Sequence, residues 1–395
     1  MQADLNPFVP GAGATPPELA GRDDILTDVA VSYKRAINGI SPRSFMLIGL
    51  RGVGKTALLT KLAQQAEETD HCMVSMCESQ EGESLAKQLF PLMKSTLLKL
   101  STVELAKDII GKGLQALRNF AKSFKLSFEN VEISIEPTPA PGVADSGELE
   151  YDLTDLFELI GTAARKSGKA WLLLIDEVQY LSQKDLGALI VAMHRVSQRG
   201  FPIVLIGAGL PQVARLAGEA KSYAERLFDW RRISSLKSGA IETAIRVPLE
   251  QRGLTIEKAA VEKFAEITEG YPFFIQALAF YTWLQAQPPT VTVENVRAAY
   301  RPAIESMIDG IFNVRYDRLT ATEIDYVNAM AKLDASPYRT SDVAKASGCT
   351  SKTASKIRDS LIRKGTIYSP KYGYVDFTIP LFAKFLTGAL LRDDV

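Results

Sequence analysis

Residues 49–56 read GLRGVGKT, preceded by the apolar run SFMLI at 44–48 and followed by ALLTKLA at 57–63. The apolar residues of the third stretch recur at helical spacing, so the order is strand, glycine-rich loop, helix. In that setting the pattern G-x-x-x-x-G-K-T predicts a phosphate-binding loop, because glycines let successive backbone N–H groups face a phosphate and the helix N-terminus adds partial positive charge. The predicted phosphate contacts are Gly49, Gly52, Val53, Gly54, Lys55, Thr56 and Ala57.

A second stretch, WLLLIDE at 171–177, is an apolar strand that ends in two carboxylates. Together with the loop it predicts hydrolysis of a nucleoside triphosphate. Lys55 would neutralise the β- and γ-phosphates, while the Thr56 hydroxyl and Asp176 would hold Mg²⁺. Glu177 would orient and polarise the attacking water, which makes Lys55, Asp176 and Glu177 the predicted catalytic residues. The guanine-reading motif N-K-x-D is absent from the sequence, so we expect ATP and Mg²⁺ as cofactors.

Length and charge limit the remaining possibilities. The chain has 395 residues, more than one compact core usually organises, so we expect two or three domains. The 46 Lys and Arg residues equal the 46 Asp and Glu residues, which excludes a globally basic protein that coats nucleic acid but leaves local patches open. No apolar run reaches the roughly 20 residues of a membrane span. The N-terminus lacks a signal-peptide pattern, so we expect a cytoplasmic protein with no membrane partner.

Apolar strands alternate with helical stretches through the first part of the chain. This alternation predicts an α/β fold with a parallel sheet and helices on both faces. We assign residues 1–235 to this core, with an inserted helical and hairpin segment at about 84–147. Strand patterns stop after about residue 235, and residues 236–318 are expected to form an all-α lid. Residues 319–395 read as three helices, a hairpin and a last helix at 381–391, which predicts a winged-helix domain.

Several motifs carry a resemblance to a known family. These are GLRGVGKT, LIDE at 174–177 and PELAGR at 17–22. With them, residues 17 to about 300 resemble the AAA+ ATPases, a group of P-loop proteins. The resemblance is to the branch near archaeal origin-recognition initiators and STAND-like archaeal-type ATPases. The resemblance implies that Leu19, Gly21 and Arg22 lie on the base side of the nucleotide. It also implies that Pro272, in GYPFF at 270–274, abuts the nucleotide from the lid.

The chain departs from most AAA+ proteins in two places. GAGLP at 207–211 stands where such proteins place a polar sensor residue near the γ-phosphate, and GYPFF at 270–274 replaces the usual sensor arginine of the lid. Together the departures imply slow turnover that needs DNA or a partner protein. The resemblance further makes Arg226 a candidate arginine finger, reaching the γ-phosphate of a neighbouring subunit in a nucleotide-dependent homo-oligomer. The alternative is a surface arginine or one paired with Glu225; Arg231 and Arg232 are weaker rivals.

The predicted winged helix is locally basic. Between Pro337 and Lys371 there are eight Lys and Arg residues against two Asp residues. Such a patch favours duplex DNA as a partner, through salt-dependent phosphate contacts from a recognition helix and a wing. The predicted DNA contacts are Ser351, Lys352, Thr353, Ser355, Lys356, Arg363 and Lys371. The alternative is a winged helix that serves protein contacts or autoinhibition.

Three functions fit these observations. The leading interpretation is an AAA+ ATPase that couples its nucleotide state to DNA binding or remodelling through the winged helix. The second is a STAND-like signalling or defence switch, in which the winged helix is a regulatory clamp. The third is a transposition or replication accessory ATPase that oligomerises on DNA, which requires Arg226 to act between subunits.

Overall fold

A computed structural model describes residues 1–11, 13–101, 106–126, 142–334 and 336–392. Its contacts divide the chain into two units. The first, here the sheet unit, comprises residues 23–48 and 58–232. The second, here the lid unit, comprises residues 1–22, 49–57 and 233–395. None of the helices in the described ranges has the length and hydropathy needed to cross a membrane.

The sheet unit is built on five parallel strands in the order β2-β3-β4-β1-β5. Every residue of β3 and β4 is buried, as expected for inner strands of a parallel sheet that is covered on both faces. β5 was not predicted from the sequence, because its residues FDWRR lack an apolar run and form an edge strand. The strands are β1 (Ser44–Ile48), β2 (Cys72–Glu78), β3 (Ala170–Asp176), β4 (Ile203–Gly209) and β5 (Phe228–Arg232).

Helices pack around this sheet, and their starts follow local capping chemistry. The Ser84 side chain accepts a hydrogen bond from the Lys87 N–H, and the Ser182 side chain accepts one from the Asp185 N–H. The hairpin predicted inside the 84–147 insertion falls almost wholly on residues 127–141, outside the described residues. The helices are α1 (Asp23–Ile37), α2 (Lys55–Glu67), α3 (Leu85–Leu100), α4 (Lys107–Ser123), α5 (Leu149–Lys166), α6 (Gln183–Gln198), α7 (Val213–Ala220) and α8 (Ala224–Leu227).

The lid unit contains the predicted helices of the 236–318 segment. They are α9 (Ser238–Glu250), α10 (Lys258–Thr268), α11 (Pro272–Gln285) and α12 (Val293–Met307), followed by a π-helical turn (Ile308–Asn313) and α13 (Val314–Tyr316). The expectation of no strand after residue 235 is wrong here, because β6 (Thr255–Ile256) pairs in parallel with β7 (Thr290–Val291). Two residues are too few for a strand pattern to be recognised in the sequence.

The C-terminal region of the lid unit combines helices with a small antiparallel sheet in the order β8-β10-β9. The helix predicted for 381–391 is interrupted, because Gly388 has φ +70° and α17 ends at Leu386, before a separate 3-10 turn (Ala389–Leu391). The elements are α14 (Ala321–Ala331), β8 (Tyr338–Arg339), α15 (Thr340–Ala346), α16 (Ser351–Arg363), β9 (Ile367–Tyr368), β10 (Tyr374–Phe377) and α17 (Phe382–Leu386).

Buried contacts join these helices and the small sheet into one apolar core within the lid unit. The ring of Phe312 stacks on Phe385 at 5.1 Å and meets Phe382 edge-on at 5.9 Å. A buried carboxylate, Glu323, pairs with Lys364 at 2.6 Å. Burial alone would raise the Glu323 pKa, but hydrogen bonds from Lys364, Thr320 and Ser360 outweigh it and lower the pKa to about 2.

Candidate nucleotide and DNA sites

The glycine-rich loop adopts the backbone conformation that its glycines permit. Gly52 has φ +73° and Gly54 has φ +91°, a region that residues with a Cβ rarely adopt. A Cβ on Gly52 would lie 2.0 Å from the Tyr271 hydroxyl, whereas a Cβ on Gly54 would meet nothing within 4 Å. A side chain at position 52 would therefore collide with Tyr271, whereas one at position 54 would meet no neighbouring atom.

Lys55 is buried at the start of α2, with 6% of its surface exposed. Its ammonium group donates to the Gly49 carbonyl at 3.0 Å and to the Leu50 carbonyl at 2.8 Å. The two carbonyls of the loop thus hold the ammonium group close to the loop. The neighbouring Thr56 is half-buried. The roles of Lys55 and Thr56 toward phosphate and Mg²⁺ stay predictions.

Hydrogen bonds join the loop to other parts of the lid unit. The Tyr271 hydroxyl donates to the Arg51 carbonyl at 3.1 Å, and the Phe273 N–H donates to the Gly52 carbonyl at 3.2 Å. The Arg51 N–H donates to the Thr378 carbonyl at 2.9 Å. Burial raises the pKa of Tyr271, so this phenol stays a neutral donor. The loop is consequently bonded both to the start of α11 and to the C-terminal region.

The base-side candidates have different surroundings. Arg22 is buried, and its Nη2 donates to the Ser234 carbonyl at 2.6 Å and to the Val53 carbonyl at 3.4 Å. Arg22 therefore lies against the phosphate loop and ties it to the segment that precedes α9. Pro272 is the first residue of α11, between the two residues that bond the loop, and Leu19 is half-buried.

The two predicted carboxylates end β3 in the sheet unit. Asp176 is 3% exposed, its Oδ1 accepts from the Glu177 N–H at 2.8 Å, and its carbonyl accepts from the Ser79 N–H at 3.0 Å. Glu177 has φ +52°, a left-handed conformation that costs a residue with a side chain on the order of 1 kcal/mol or more. The surrounding bonds must therefore hold Glu177 in place.

Gln179 is a polar residue that the sequence interpretation missed. Its Nε2 donates to Glu177 Oε2, and its Oε1 accepts from the Leu210 N–H at 3.0 Å. The only available signal was its position two residues after the carboxylate pair, in IDEVQ at 175–179. It reaches the end of β4, the region where the sequence lacks a polar sensor residue.

The residues of each unit, taken by itself, suit part of the expected cofactor pair of nucleoside triphosphate and magnesium. The lid unit provides the glycine-rich loop, a lysine ammonium group and a threonine hydroxyl, all of which suit phosphate and its metal. The sheet unit provides the buried Asp176 carboxylate, a type of ligand that Mg²⁺ prefers. When bound, Mg²⁺ would neutralise charge on the phosphate oxygens.

The arginines after β4 differ in their availability. Arg226 lies on α8 and Arg232 ends β5, and both are exposed. Arg231 donates to Asp229 at 3.0 Å and to Asp28 at 2.6 Å, and these bonds raise its pKa. An arginine held by two carboxylates is a poor donor to a neighbouring subunit, so Arg231 is the weaker candidate of the three.

The predicted DNA contacts lie on α16 and on the loop between β9 and β10. α16 is capped by Thr350, whose side chain accepts from the Thr353 N–H, and it buries its face of Ala354, Ile357 and Leu361. The opposite face leaves these candidates exposed: Ser351, Lys352, Thr353, Lys356 and Arg363. Ser355 is half-buried and accepts from Arg358, while Lys371 is exposed with its ammonium 4.1 Å from the Tyr374 ring centre.

Two of the eight basic residues in this region are already paired. Lys364 is bound to Glu323, and Arg358 donates to Asp359 at 3.1 Å. No ion pair involves Lys352, Lys356 or Arg363 within the described part of the chain. Fewer basic residues are therefore available than the sequence count suggests, and three of those that remain, Lys352, Lys356 and Arg363, share the exposed face of α16.

Comparison with known proteins supports this architecture. Residues 18–206 match the family described as AAA ATPase domain, and residues 309–386 match a domain of unknown function, DUF8462. No curated protein matches the chain by sequence. The ORC2 protein of Aeropyrum pernix, solved with ADPNP and ADP, is 14% identical with a TM-score of 0.55, covering 97% of this chain and 96% of that one.

A second similar structure is the Walker-type ATPase PABY2304 of Pyrococcus abyssi. It is 14% identical with a TM-score of 0.51, covering 93% of this chain and 96% of that one. At such identity the likeness establishes the fold alone. The predicted fold class is confirmed: the chain has a P-loop NTPase fold with a helical C-terminal region, and its residues 18–206 match an AAA ATPase domain.

Proposed function

We propose that the protein is a cytoplasmic ATPase that binds duplex DNA through a winged helix formed by residues 319–395, and that its nucleotide state changes its DNA affinity. The match of residues 18–206 to an AAA ATPase domain supports the ATPase half. In this proposal Lys55 holds the β- and γ-phosphates, and Thr56 and Asp176 hold Mg²⁺. Glu177 orients the attacking water and accepts its proton.

One observation carries the DNA half of the proposal. Lys352, Lys356 and Arg363 are exposed on one helix and have no carboxylate partner within the described ranges. When unpaired cations on a helix face meet DNA phosphates, they displace the counterions condensed on the DNA, and this release drives association. Lys371 adds a cation on the loop between β9 and β10, where a wing would contact the DNA backbone.

The coupling between nucleotide and DNA rests on hydrogen bonds within the lid unit. Arg51 of the phosphate loop donates to the carbonyl of Thr378, which directly follows β10 of the C-terminal region. Tyr271, at the start of α11, donates to the carbonyl of the same Arg51. A loop that rearranges around phosphate would change these bonds, and the C-terminal region would then respond to the nucleotide.

The proposal is tested by measuring ATP hydrolysis with and without duplex DNA, and DNA affinity with ATP, ADP and no nucleotide, over a range of salt concentrations. We expect DNA to stimulate hydrolysis and the nucleotide to change DNA affinity. Absence of DNA binding at low salt contradicts the DNA half. Hydrolysis that persists unchanged in Lys55→Ala contradicts the ATPase half.

A second candidate function is a STAND-like switch, and the Arg51–Thr378 bond favours it because a clamp on the phosphate loop is what such a switch needs. In that case the nucleotide changes oligomeric state, with an unidentified protein as the partner of the C-terminal region. A third candidate, an accessory ATPase that oligomerises on DNA, requires DNA and ATP together for assembly. Sizing the protein with an ATP analogue, with and without DNA, separates the three.

A further inference from the structure

We propose that Gln179 is a positioning residue for hydrolysis: its amide fixes the Glu177 carboxylate and ties it to the backbone at the end of β4. The inference rests on the proposed ATPase function and adds to it a residue outside the recognised motifs. Gln179 lies in the 3-10 turn Val178–Tyr180 that directly follows Glu177.

The hydrogen bonds fix which way the amide faces. Oε1 of Gln179 accepts from the Leu210 N–H at 3.0 Å, while Nε2 donates to Glu177 Oε2. A flipped amide would set an NH₂ group against an N–H group and a carbonyl oxygen against a carboxylate, losing both bonds and adding repulsion. The amide therefore accepts from one side and donates to the other, and it connects β4 to Glu177.

The end of β4 is shaped to admit this side chain. A Cβ on Gly209 would lie 2.7 Å from Gln179 Oε1 and 2.7 Å from a methyl group of Val213. Any larger residue at 209 would push against the Gln179 amide. Gly209 has no side chain, and this leaves a space at the end of β4. The amide of Gln179, from the turn after β3, occupies that space and supplies a polar group where β4 itself has none.

The strand register places this connection at the carboxyl edge of the sheet. Gly209 pairs with Ile48, the last residue of β1, and Gly207 pairs with Ile175 on β3. β4 thus runs between the strand that leads into the phosphate loop and the strand that ends in the carboxylates. A change at the end of β4 would therefore reach Glu177 through the Gln179 side chain.

Glu177 needs such a support because of its backbone. Its left-handed φ of +52° is unfavourable, and a carboxylate on a strained residue can rotate about its side-chain bonds unless it is held. The turn secures the main chain through the Tyr180 N–H, which donates to the Glu177 carbonyl at 3.0 Å. The bond from Gln179 secures the carboxylate itself, so orientation of the attacking water depends on it.

The test compares ATP turnover of wild type, Gln179→Ala and Gln179→Glu. Because a misplaced supporting group costs roughly 10- to 100-fold in activity, we expect both variants to lose that much kcat with KM changed less than about twofold. Gln179→Glu keeps the shape but places a second carboxylate against Glu177. The matched control is Gln183→Ala, an exposed glutamine four residues along, whose kcat stays at the wild-type value.

A double variant distinguishes positioning from a structural role. If Gln179 acts through the carboxylate, Gln179→Ala produces no further loss of kcat in a Glu177→Gln background. Unchanged or increased kcat in Gln179→Ala overturns the inference. A loss of kcat in the double variant equal to the product of the two single losses also overturns it. So does a loss of kcat that is accompanied by a matching fall in the midpoint temperature of thermal unfolding.

A measurement without ATP keeps the inference separate from the proposed function. Hydrogen exchange of the Leu210 amide should accelerate in Gln179→Ala and stay unchanged in Gln183→Ala, because the acceptor for that N–H has been removed. If wild type binds but does not hydrolyse ATP, the proposed function fails while the exchange result still reports on the connection. Equal Leu210 exchange in both variants rejects the connection itself.

Discussion

Lys55 illustrates how a single residue combines fold and chemistry. Its ammonium group donates to two carbonyls of its own loop, at 3.0 and 2.8 Å, so the buried charge has hydrogen-bond acceptors within the loop itself. Phosphate oxygens bind an ammonium group more strongly than neutral carbonyls do, because the hydrogen bonds are then charge-assisted on both sides. The carbonyls keep the lysine in place without competing strongly with the ligand.

We predict that Lys55→Ala lowers kcat/KM for ATP by at least about 10²-fold, since it removes a charge aimed at the transferred phosphoryl group. Measurement of steady-state hydrolysis checks this, alongside binding of a fluorescent ATP analogue. Lys61→Ala, on the same helix α2, is the matched control and should retain wild-type kinetics.

Glu323 gives a pH-dependent prediction. Its pKa is lowered from 4.5 to about 2 in the folded protein, so the folded state favours the ionised carboxylate. The resulting stability is complete above the unfolded pKa and disappears as the pH falls toward 2. We expect Glu323→Gln to lower the free energy of unfolding by about 2–3 kcal/mol at pH 7, and the difference from wild type to shrink by about 1 kcal/mol at pH 4.

Urea denaturation at pH 7, 5 and 4 measures this difference. Glu305→Gln is the control, since that carboxylate is exposed and pairs only with Arg301 one helical turn away. A difference between wild type and Glu323→Gln that stays constant with pH would show that the carboxylate is not the source of the stability.

Residues of local motifs could be predicted from the sequence, and residues that depend on distant partners could not. Lys55, Asp176 and Glu177 follow from short patterns beside apolar strands. The contact of Tyr271 with the phosphate loop joins parts of the chain that are far apart in sequence, and no local pattern encodes it. Gln179 was missed because an amide has no pattern of its own, and its role depends on the empty space at Gly209.

At the scale of elements, α16 separates a packing face from a charged face. Ala354, Ile357 and Leu361 anchor the helix, so the exposed lysines can be changed without loss of the core. We predict that Lys352→Ala and Lys356→Ala each weaken DNA binding on all sequences and lower the salt slope of log K by about 1.

Fluorescence anisotropy with two unrelated duplexes at several salt concentrations measures these slopes. Lys258→Ala, which removes another exposed lysine, at the start of α10, should leave the slope unchanged. A slope that falls as much in Lys258→Ala as in Lys352→Ala would mean that binding depends on total charge rather than on this helix face.

Elements were predictable where periodicity runs long enough. The inner strands and the helices of the lid follow from apolar runs and helical spacing. β5 was missed because an edge strand with arginines and an aspartate carries no such run. The last helix was predicted too long because apolar residues continue beyond Gly388, while the backbone turns there.

At the scale of the whole molecule, exposure of Arg226 matters only if copies of the chain meet. We predict that specific ATPase activity rises with protein concentration. Arg226→Ala should lower kcat about 10³-fold at high protein concentration, and its activity should no longer depend on concentration. Arg215→Ala, an exposed arginine on α7, is the control.

Mixing variants tests whether the arginine acts between subunits. Arg226→Ala and Glu177→Gln are each expected to be inactive, but a mixture should regain activity. A Glu177→Gln subunit can place its Arg226 at the γ-phosphate held by an Arg226→Ala neighbour, whose Glu177 carboxylate is intact. If activity does not recover on mixing, at concentrations where the specific activity of wild type has risen, then Arg226 does not act on a neighbouring subunit.

The lid unit is assembled from three separated segments of sequence, and this has a consequence for how the protein is made. The phosphate loop leaves the ribosome before Tyr271, which lies 220 residues beyond Arg51, and Thr378 follows later still. A nascent chain therefore holds its GLRGVGKT segment without the tyrosine cover or the last backbone bond. Fragments that begin at residue 233 lack the loop, and fragments that stop before Thr378 leave the Arg51 N–H without its acceptor. Synthesis through Thr378 is thus a precondition for the completed loop, and the activity of either fragment says little about a chain that contains both parts.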